Sequence, residues 1–208
     1  MHPNLTPERL LSAYAAGIFP MADETEEIHW LAPDPRAIIE LEELKISRSL
    51  RTVVRRGDLT MTIDRAFTET MAACADRAEG TWISADIAEA YGQLHRLGYA
   101  HSIEAWQGDE LVGGLYGVAI GGAFFGESMF HRVADASKAA LVHLVHRMRD
   151  RGLALLDVQF MTDHLRRLGA REIPRSAYER RLHDAVRMKK SFVSDAPEIQ
   201  FHDDQPSD

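Results

Sequence analysis

The sequence predicts an α+β fold in which helices pack on a mixed sheet, and two observations carry that reading. Three apolar runs of strand length, YAHSIEAW, ELVGGLYGVAI and AFFGESMF, follow one another from Tyr99. Only the turn signals Gln107-Gly108-Asp109 and Gly121-Gly122 separate them, as in an antiparallel meander. After the meander the order becomes αβαβ. A long helix is expected from Asp135 to Gly152, then the strand LALLDVQF, a short helix to Gly169 and a last helix starting at Ser176.

Ahead of the meander the signals are mostly caps. Thr6 with Pro7 predicts a helix start, Gly17 its stop, and Leu10, Leu11 and Tyr14 its buried stripe. The stretch from Ile18 to Ile39, rich in proline and acids, reads as irregular until a strand near Ile38. Ser47 is placed to cap a helix, LTMTI alternates like a strand, and Asp64 is placed to cap a helix to about Ala75. Ser84 opens another helix, with Ile87, Ala90, Tyr91, Leu94 and Leu97 inward and Gly98 at its end. The division expected is a smaller α/β region at 1–80, a larger region at 81–193 and a polar tail at 194–208.

A chain of 208 residues with 45% hydrophobic content can bury a core, which excludes a disordered chain or a disulfide-stapled miniprotein. The net charge of -8 argues against a protein coated in basic residues. The acids are unevenly spread: residues 1–44 hold nine acids and two bases, whereas residues 45–56 hold five bases and no acid. One basic island in an acidic protein suits a local anionic partner. The single cysteine, Cys74, shares a helical stripe with Phe67 and Met71 and reads as core. Without an apolar leader or a membrane-length apolar run, the expected location is cytoplasmic, with no membrane partner.

Four constellations bear chemistry. In LALLDVQF, alternation puts Asp157 and Gln159 on one face, where the acid can accept from the Gln amide nitrogen and turn its carbonyl outward, although spacing alone favours the plainer reading of a strand end becoming polar. Glu127 is an acid inside an apolar strand beside Gly126 and needs a partner. Gly126-x-Ser128 approaches a nucleophile elbow, but Phe130 stands where the strained turn needs glycine, which argues against a serine hydrolase. Arg48, Arg51, Arg55 and Arg56 fall on one side of a helix, either as a phosphate track or as a solvated face, and Arg166, Arg167, Arg171 and Arg175 would extend the basic area. His143, His146 and Asp150 share helix spacing but read as a solvated face, so no metal is expected.

Taken together, AYAAGIFPM, WLAPDPRA, EGTWI, HSIEAW, LVGGLYGVAIG, FGESMF, ASKAAL, DVQF and LGAREIPR resemble the bacterial leucyl/phenylalanyl-tRNA-protein transferase family, in order from about Leu10 to Tyr178. The resemblance implies transfer of Leu or Phe from aminoacyl-tRNA to proteins beginning with Arg or Lys, marking them for degradation. It also implies that the larger region has the fold of the acetyl-CoA-dependent N-acyltransferases, and that no cofactor is used. By the same resemblance Asp157, Gln159 and Glu127 are the catalytic groups, Phe124 and Leu115 belong to an apolar donor pocket, and Trp82 stacks on adenosine. Ser128 and Met21 touch substrate, and Arg48, Arg51, Arg55 and Arg56 touch tRNA.

Three positions depart from well-known members, which have Trp at Met21, Met at Leu115 and Cys at Val158; longer members also carry a segment ahead of the first helix. Two rivals from other classes share parts of the pattern. A coenzyme A-dependent N-acyltransferase would share the fold but needs a pyrophosphate loop that Val133–Lys138 does not spell, and a noncatalytic tRNA-binding module would need the arginines alone.

Overall fold

The computed structural model describes residues 5–78 and 80–193, so the tail expected at 194–208 lies outside the described residues. In chain order the elements are α1 (Pro7–Ala15), β1 (Phe19–Ala22), β2 (Ile28–Leu31), β3 (Arg36–Ile39), a 3-10 turn (Leu41–Glu43), α2 (Arg48–Arg56), β4 (Thr60–Ile63), α3 (Phe67–Ala75) and α4 (Ala85–Arg96). They continue as β5 (Ala100–Gln107), β6 (Glu110–Ile120), β7 (Ala123–His131), α5 (Ala136–Arg151), β8 (Leu155–Gln159), α6 (Asp163–Arg167), β9 (Arg171–Ile173) and α7 (Arg175–Val186). The main sheet has seven strands in the order β4-β5-β6-β7-β8-β3-β9, antiparallel except where β7 meets β8. The mixed sheet and the β5–β7 meander are as expected. The stretch read as irregular folds instead into a hairpin of β1 and β2, and β3 inserts between β8 and β9.

Alternation along the central strands divides the apolar side chains between two layers. One, containing Tyr14, Tyr91, Tyr116, Phe125 and Leu155, packs against α1, α3, α4 and α7. The other, containing Ile103, Leu115, Phe124 and Leu156, packs against Leu144 and Met148 of α5. At about 1.5–3 kcal/mol per fully buried large side chain, these layers supply the main drive to fold. Phe67, Met71 and Cys74 are buried together as expected.

Thr6, Ser47 and Ser84 cap their helices, accepting from the backbone N–H of Arg9, Leu50 and Ile87. Three local readings are corrected. Asp64 does not cap α3; it sits at φ 59°, and its Oδ1 accepts from the N–H of Ser102 at 2.9 Å. The start of α3 is served from a distance by Glu104 of the HSIEAW string, whose Oε1 accepts from Ala66 N–H at 3.3 Å and whose Oε2 accepts from the Thr62 hydroxyl at 2.5 Å. Asp135 adopts φ 66° and makes no cap bond, and Leu97 is 47% exposed because α4 has ended in Gly98 before its side chain reaches the core. Among the described residues, no helix is long and apolar enough to cross a membrane.

Two bulges lie where β7 and β8 stop pairing. Partners run Gly117↔Gly126 and then Tyr116↔Ser128, so Glu127 is the extra residue of β7. On β8 they run Ile38↔Asp157 and then Ala37↔Gln159, so Val158 is extra. A bulge bends its strand and ends regular pairing. β7 and β8 accordingly pair only from Ala123↔Leu155 to Phe125↔Asp157 and part beyond that point.

Candidate active site

Glu127 and Gln159 face each other across the parting of β7 and β8. Gln159 Nε2 donates to Glu127 Oε1 at 2.8 Å, and the same oxygen accepts from the Tyr14 hydroxyl at 2.7 Å. The Tyr91 hydroxyl lies 3.3 Å from Oε2 and is also hydrogen-bonded to that of Tyr14; its single proton serves one of these two contacts at a time. With its NH₂ held by Glu127, the Gln159 amide is fixed in orientation and its carbonyl oxygen is left to accept. Glu127 is therefore not the unpaired acid its apolar strand suggested, and it makes no demand of its own for a cationic acceptor.

Asp157 is fully buried, and its role differs from the one expected. It does not hold the Gln159 side chain. Its Oδ1 accepts from the backbone N–H of Gln159 at 2.8 Å, where the chain turns through φ 63°. Such a left-handed conformation costs a residue other than glycine about 1–2 kcal/mol, so the bond stabilises a backbone that would otherwise relax. The carboxylate is in turn gripped by Arg36, with Nε at 2.9 and 3.2 Å and Nη2 at 2.7 Å, and by the Tyr178 hydroxyl at 2.6 Å. Arg36 Nη1 reaches the carbonyl of Gly17 at 3.1 Å, and the guanidinium lies over the rings of Phe19 and Tyr178. Burial opposes the Arg36 charge, but the hydrogen bonds and charge of Asp157 outweigh it and hold the pKa above its ordinary value.

Sequence reasoning missed Arg36, Tyr14, Tyr91 and Tyr178 as members of the site. Arg36 carried a usable signal, an ion opening the apolar strand RAII, which is the same oddity that marked Glu127. The tyrosines carried none beyond their helical stripes, because their hydroxyl partners lie on distant strands.

Burial pushes the Glu127 carboxyl up from 4.5 to about 8, against the lowering effect of the tyrosine hydrogen bonds. Folded protein therefore keeps this proton through a range in which unfolded chain releases it, and stability must fall as pH rises through that window. Relative to Glu127→Gln, which has no proton to lose, the wild type is expected to lose Tm progressively between pH 4.5 and about 8 and to show no further relative change above it. Parallel Tm curves for the two proteins across that range would contradict this.

The remaining residues expected to touch substrate are divided between the two faces of the sheet. Ser128 is held by Arg77, whose Nη2 donates to its hydroxyl at 2.8 Å, and Cys74 is buried with its thiol pushed up to about 12, so neither is an activated nucleophile. Met21 and Trp82 are half-buried on the layer that holds Glu127, and the Trp82 carbonyl accepts from Ala22 N–H at 3.3 Å, which brings the two side chains' segments together. Phe124 and Leu115 lie on the opposite, α5 side and are core residues, 0% and 3% exposed; Phe124 packs on Phe192. The half-buried neighbours on their side of the sheet are Met129, the register partner of Leu115, and Val158.

Arg48, Arg51, Arg55 and Arg56 are exposed on α2, which Leu50 anchors against Ala139 and Val142 of α5, and no ion pair engages them among the described residues. Of the second basic stretch, three arginines are paired with acids, and Arg167 is not among them. Arg166 pairs with Asp163, Arg171 with Glu40 and Arg175 with Glu179. If the α2 arginines meet phosphates, the double variant Arg51→Ala, Arg55→Ala is expected to flatten the log–log salt slope of RNA binding by about 0.7–0.9 per arginine. An unchanged slope in filter binding would return them to a solvated face. His143, His146 and Asp150 do not converge; the one metal-compatible group among the described residues is the exposed set Asp23, Glu27 and His29.

An amide and a carboxyl are thus fixed in orientation at the parting of two parallel strands, with no activated nucleophile beside them. The leucyl/phenylalanyl-tRNA protein transferase family model matches residues 38–183, and the model for that family's N-terminal domain matches residues 3–34. The chain belongs to this family. Relatives named leucyl/phenylalanyl-tRNA–protein transferase include those of Rhodospirillum rubrum, 49% identical over 98% of both chains, and Salinibacter ruber, 53% identical over 89% of this chain and 82% of that one. The relative from Cereibacter sphaeroides is 54% identical over 92% and 90%. Among solved structures, a GCN5-related glucosamine N-acetyltransferase region of a fungal β-N-acetylglucosaminidase is 13% identical over 68% of this chain and 20% of that chain, at TM-score 0.47.

Proposed function

We propose that the protein transfers Leu or Phe from aminoacyl-tRNA to the free α-amine of an acceptor protein. The observation that carries the reading is the Gln159 amide, held through its nitrogen by Glu127 so that its carbonyl oxygen accepts from an incoming amine. Family membership supplies the donor class.

The chemistry asks little beyond placement. An aminoacyl ester is already activated, so amide formation needs no ATP, metal or coenzyme A. The amine nitrogen bonds to the ester carbon, the ester C–O bond breaks, and the proton lost by the amine ends on the leaving ribose oxygen. An α-amino group with a pKa of about 7.7–8.0 is partly neutral near pH 7, so no strong base is required. Holding amine and ester together contributes roughly 7–11 kcal/mol of the barrier reduction. Gln159 aligns the amine, Glu127 aligns Gln159, and Asp157 with Arg36 holds the backbone from which Gln159 projects.

The donor side chain enters the gap between β7 and β8, with Met129 and Val158 at its wall and Leu115 and Phe124 behind them. Since one methylene is worth only about 1–3 kcal/mol, such a pocket accepts Leu, Phe and Met to differing degrees and rejects charged donors. Met21 and Trp82 hold the terminal adenosine, Ser128 lines the same opening, and the α2 arginines meet the tRNA backbone. Acceptors beginning with Arg or Lys, and their marking for degradation in the cytoplasm, follow from the family resemblance.

The test is purified protein with labelled Leu-tRNA or Phe-tRNA and peptides that differ only in their first residue. Amide formation on Arg- and Lys-initiated peptides is expected, and transfer should persist after exhaustive chelation. No product with any peptide would reject the reading, and efficient transfer from Asp-tRNA or Arg-tRNA would reject the pocket.

A further inference from the structure

β7 and β8 run parallel as far as Phe125↔Asp157 and then part, and the segments leaving their C-terminal ends lead into α5 and α6. Ligands of open sheets containing parallel strands are met at such ends. β7 finishes on His131, the first turn of α5 carries Lys138, and α6 carries His164 and Arg167. The start of α5 is held close to the sheet at Gly113 of β6, where any Cβ would lie 2.5 Å from that of Ala136.

Nε2 of His164 is buried and has no hydrogen-bond partner among the described residues. Native structures rarely leave such an atom unpaired, and it calls for a specific explanation. The proton affinity of His164 is lowered first by burial and then by the nearby Lys138, His131 and Arg167, so the group is a set of mutually repelling bases. Two acids stand close by. Asp135 contacts Lys138 Nζ at 2.7 Å, and Asp163 is committed to Arg166 at 2.9 Å. Lys138 and Arg167 together outweigh Asp135, so the ligand that completes the set is an anion.

We propose that His131, Lys138, His164 and Arg167 bind a phosphodiester of the donor RNA, the one on the 5′ side of the terminal adenosine. This rests on the aminoacyl-tRNA reading above and adds the path of the RNA end: the ester reaches Gln159 while the phosphate one ribose away seats between the starts of α5 and α6. Backbone phosphate carries no base identity, so the site grips every charged tRNA alike and leaves selection to the donor side chain.

The experiment compares two donors in the same transfer assay: leucyl-tRNA, which has this phosphate, and leucyl-adenosine, which lacks it. Lys138→Ala with Arg167→Ala, and separately His164→Asn, are expected to raise the KM for leucyl-tRNA about 10-fold or more, as for the loss of a hydrogen bond to a charged group, while kcat changes little. The KM for leucyl-adenosine should stay at the wild-type value. Equal losses with both donors, or no loss with leucyl-tRNA, would overturn the phosphate site while leaving the transferase reading intact. A wild type that transfers from neither donor would overturn both.

Discussion

Asp157→Ala is expected to destabilise the protein by about 3–5 kcal/mol and to abolish measurable transfer. The stability loss follows from what the substitution leaves behind: the Arg36 guanidinium, 1% exposed, with its carboxylate gone. Removing one member of a buried pair costs far more than the pair itself is worth, so Asp157→Ala combined with Arg36→Met should recover much of the lost stability in urea denaturation. Activity should not return with it, because the N–H of Gln159 still lacks the acceptor that holds its φ of 63°. If the double variant regained both stability and turnover, Asp157 would be a packing device with no part in positioning Gln159. Asp157→Asn provides a finer check. It keeps an oxygen for the Gln159 N–H but weakens the bidentate grip on Arg36, and should retain more activity than the alanine variant.

The second large effect concerns Gln159. Gln159→Ala is expected to lower kcat by about 100-fold, the scale of a misplaced reacting group, with tRNA affinity and global stability near wild type. The side chain touches the attacking amine in the proposed mechanism and does not touch RNA. Gln159→Glu keeps the shape but replaces the N–H donor to Glu127 with a second carboxyl group, so it should not rescue the rate. Single-turnover transfer from preformed enzyme–tRNA complex is the deciding measurement, since it is blind to product release. A near-normal rate in Gln159→Ala would remove the amide from the mechanism.

Much of this arrangement can be read from single residues and local periods. The meander, the caps at Thr6, Ser47 and Ser84, and the buried stripe around Cys74 all come from backbone geometry repeating every two or 3.6 residues, which neighbours in the chain set among themselves. Glu127 and Gln159 stand out for the same reason, as polar residues out of place in apolar strands. The resemblance carried by strings such as GESMF and DVQF then names the chemistry. The hairpin of β1 and β2 escaped because its strands are four residues long and interrupted by proline and acids, too short for a period to register.

Which group holds which is a different kind of question. Arg36 and Asp157 are 121 positions apart, and Tyr14 and Glu127 are 113 apart. Their pairing depends on the register of β3 against β8 and on how α1 lies across the sheet. One extra residue in each of β7 and β8 parts the strands and turns Glu127 and Gln159 toward each other, and a shift of a single residue reverses the face on which side chains lie. The sequence by itself determined the meander, the capped helices, the polar residues that stand out in apolar strands and the family. Tertiary structure alone decided that Glu127 rather than Asp157 holds the Gln159 amide, that Arg36 grips Asp157 and that Arg166, Arg171 and Arg175 are paired with acids, because each outcome is a contest among partners that only the folded register brings within reach.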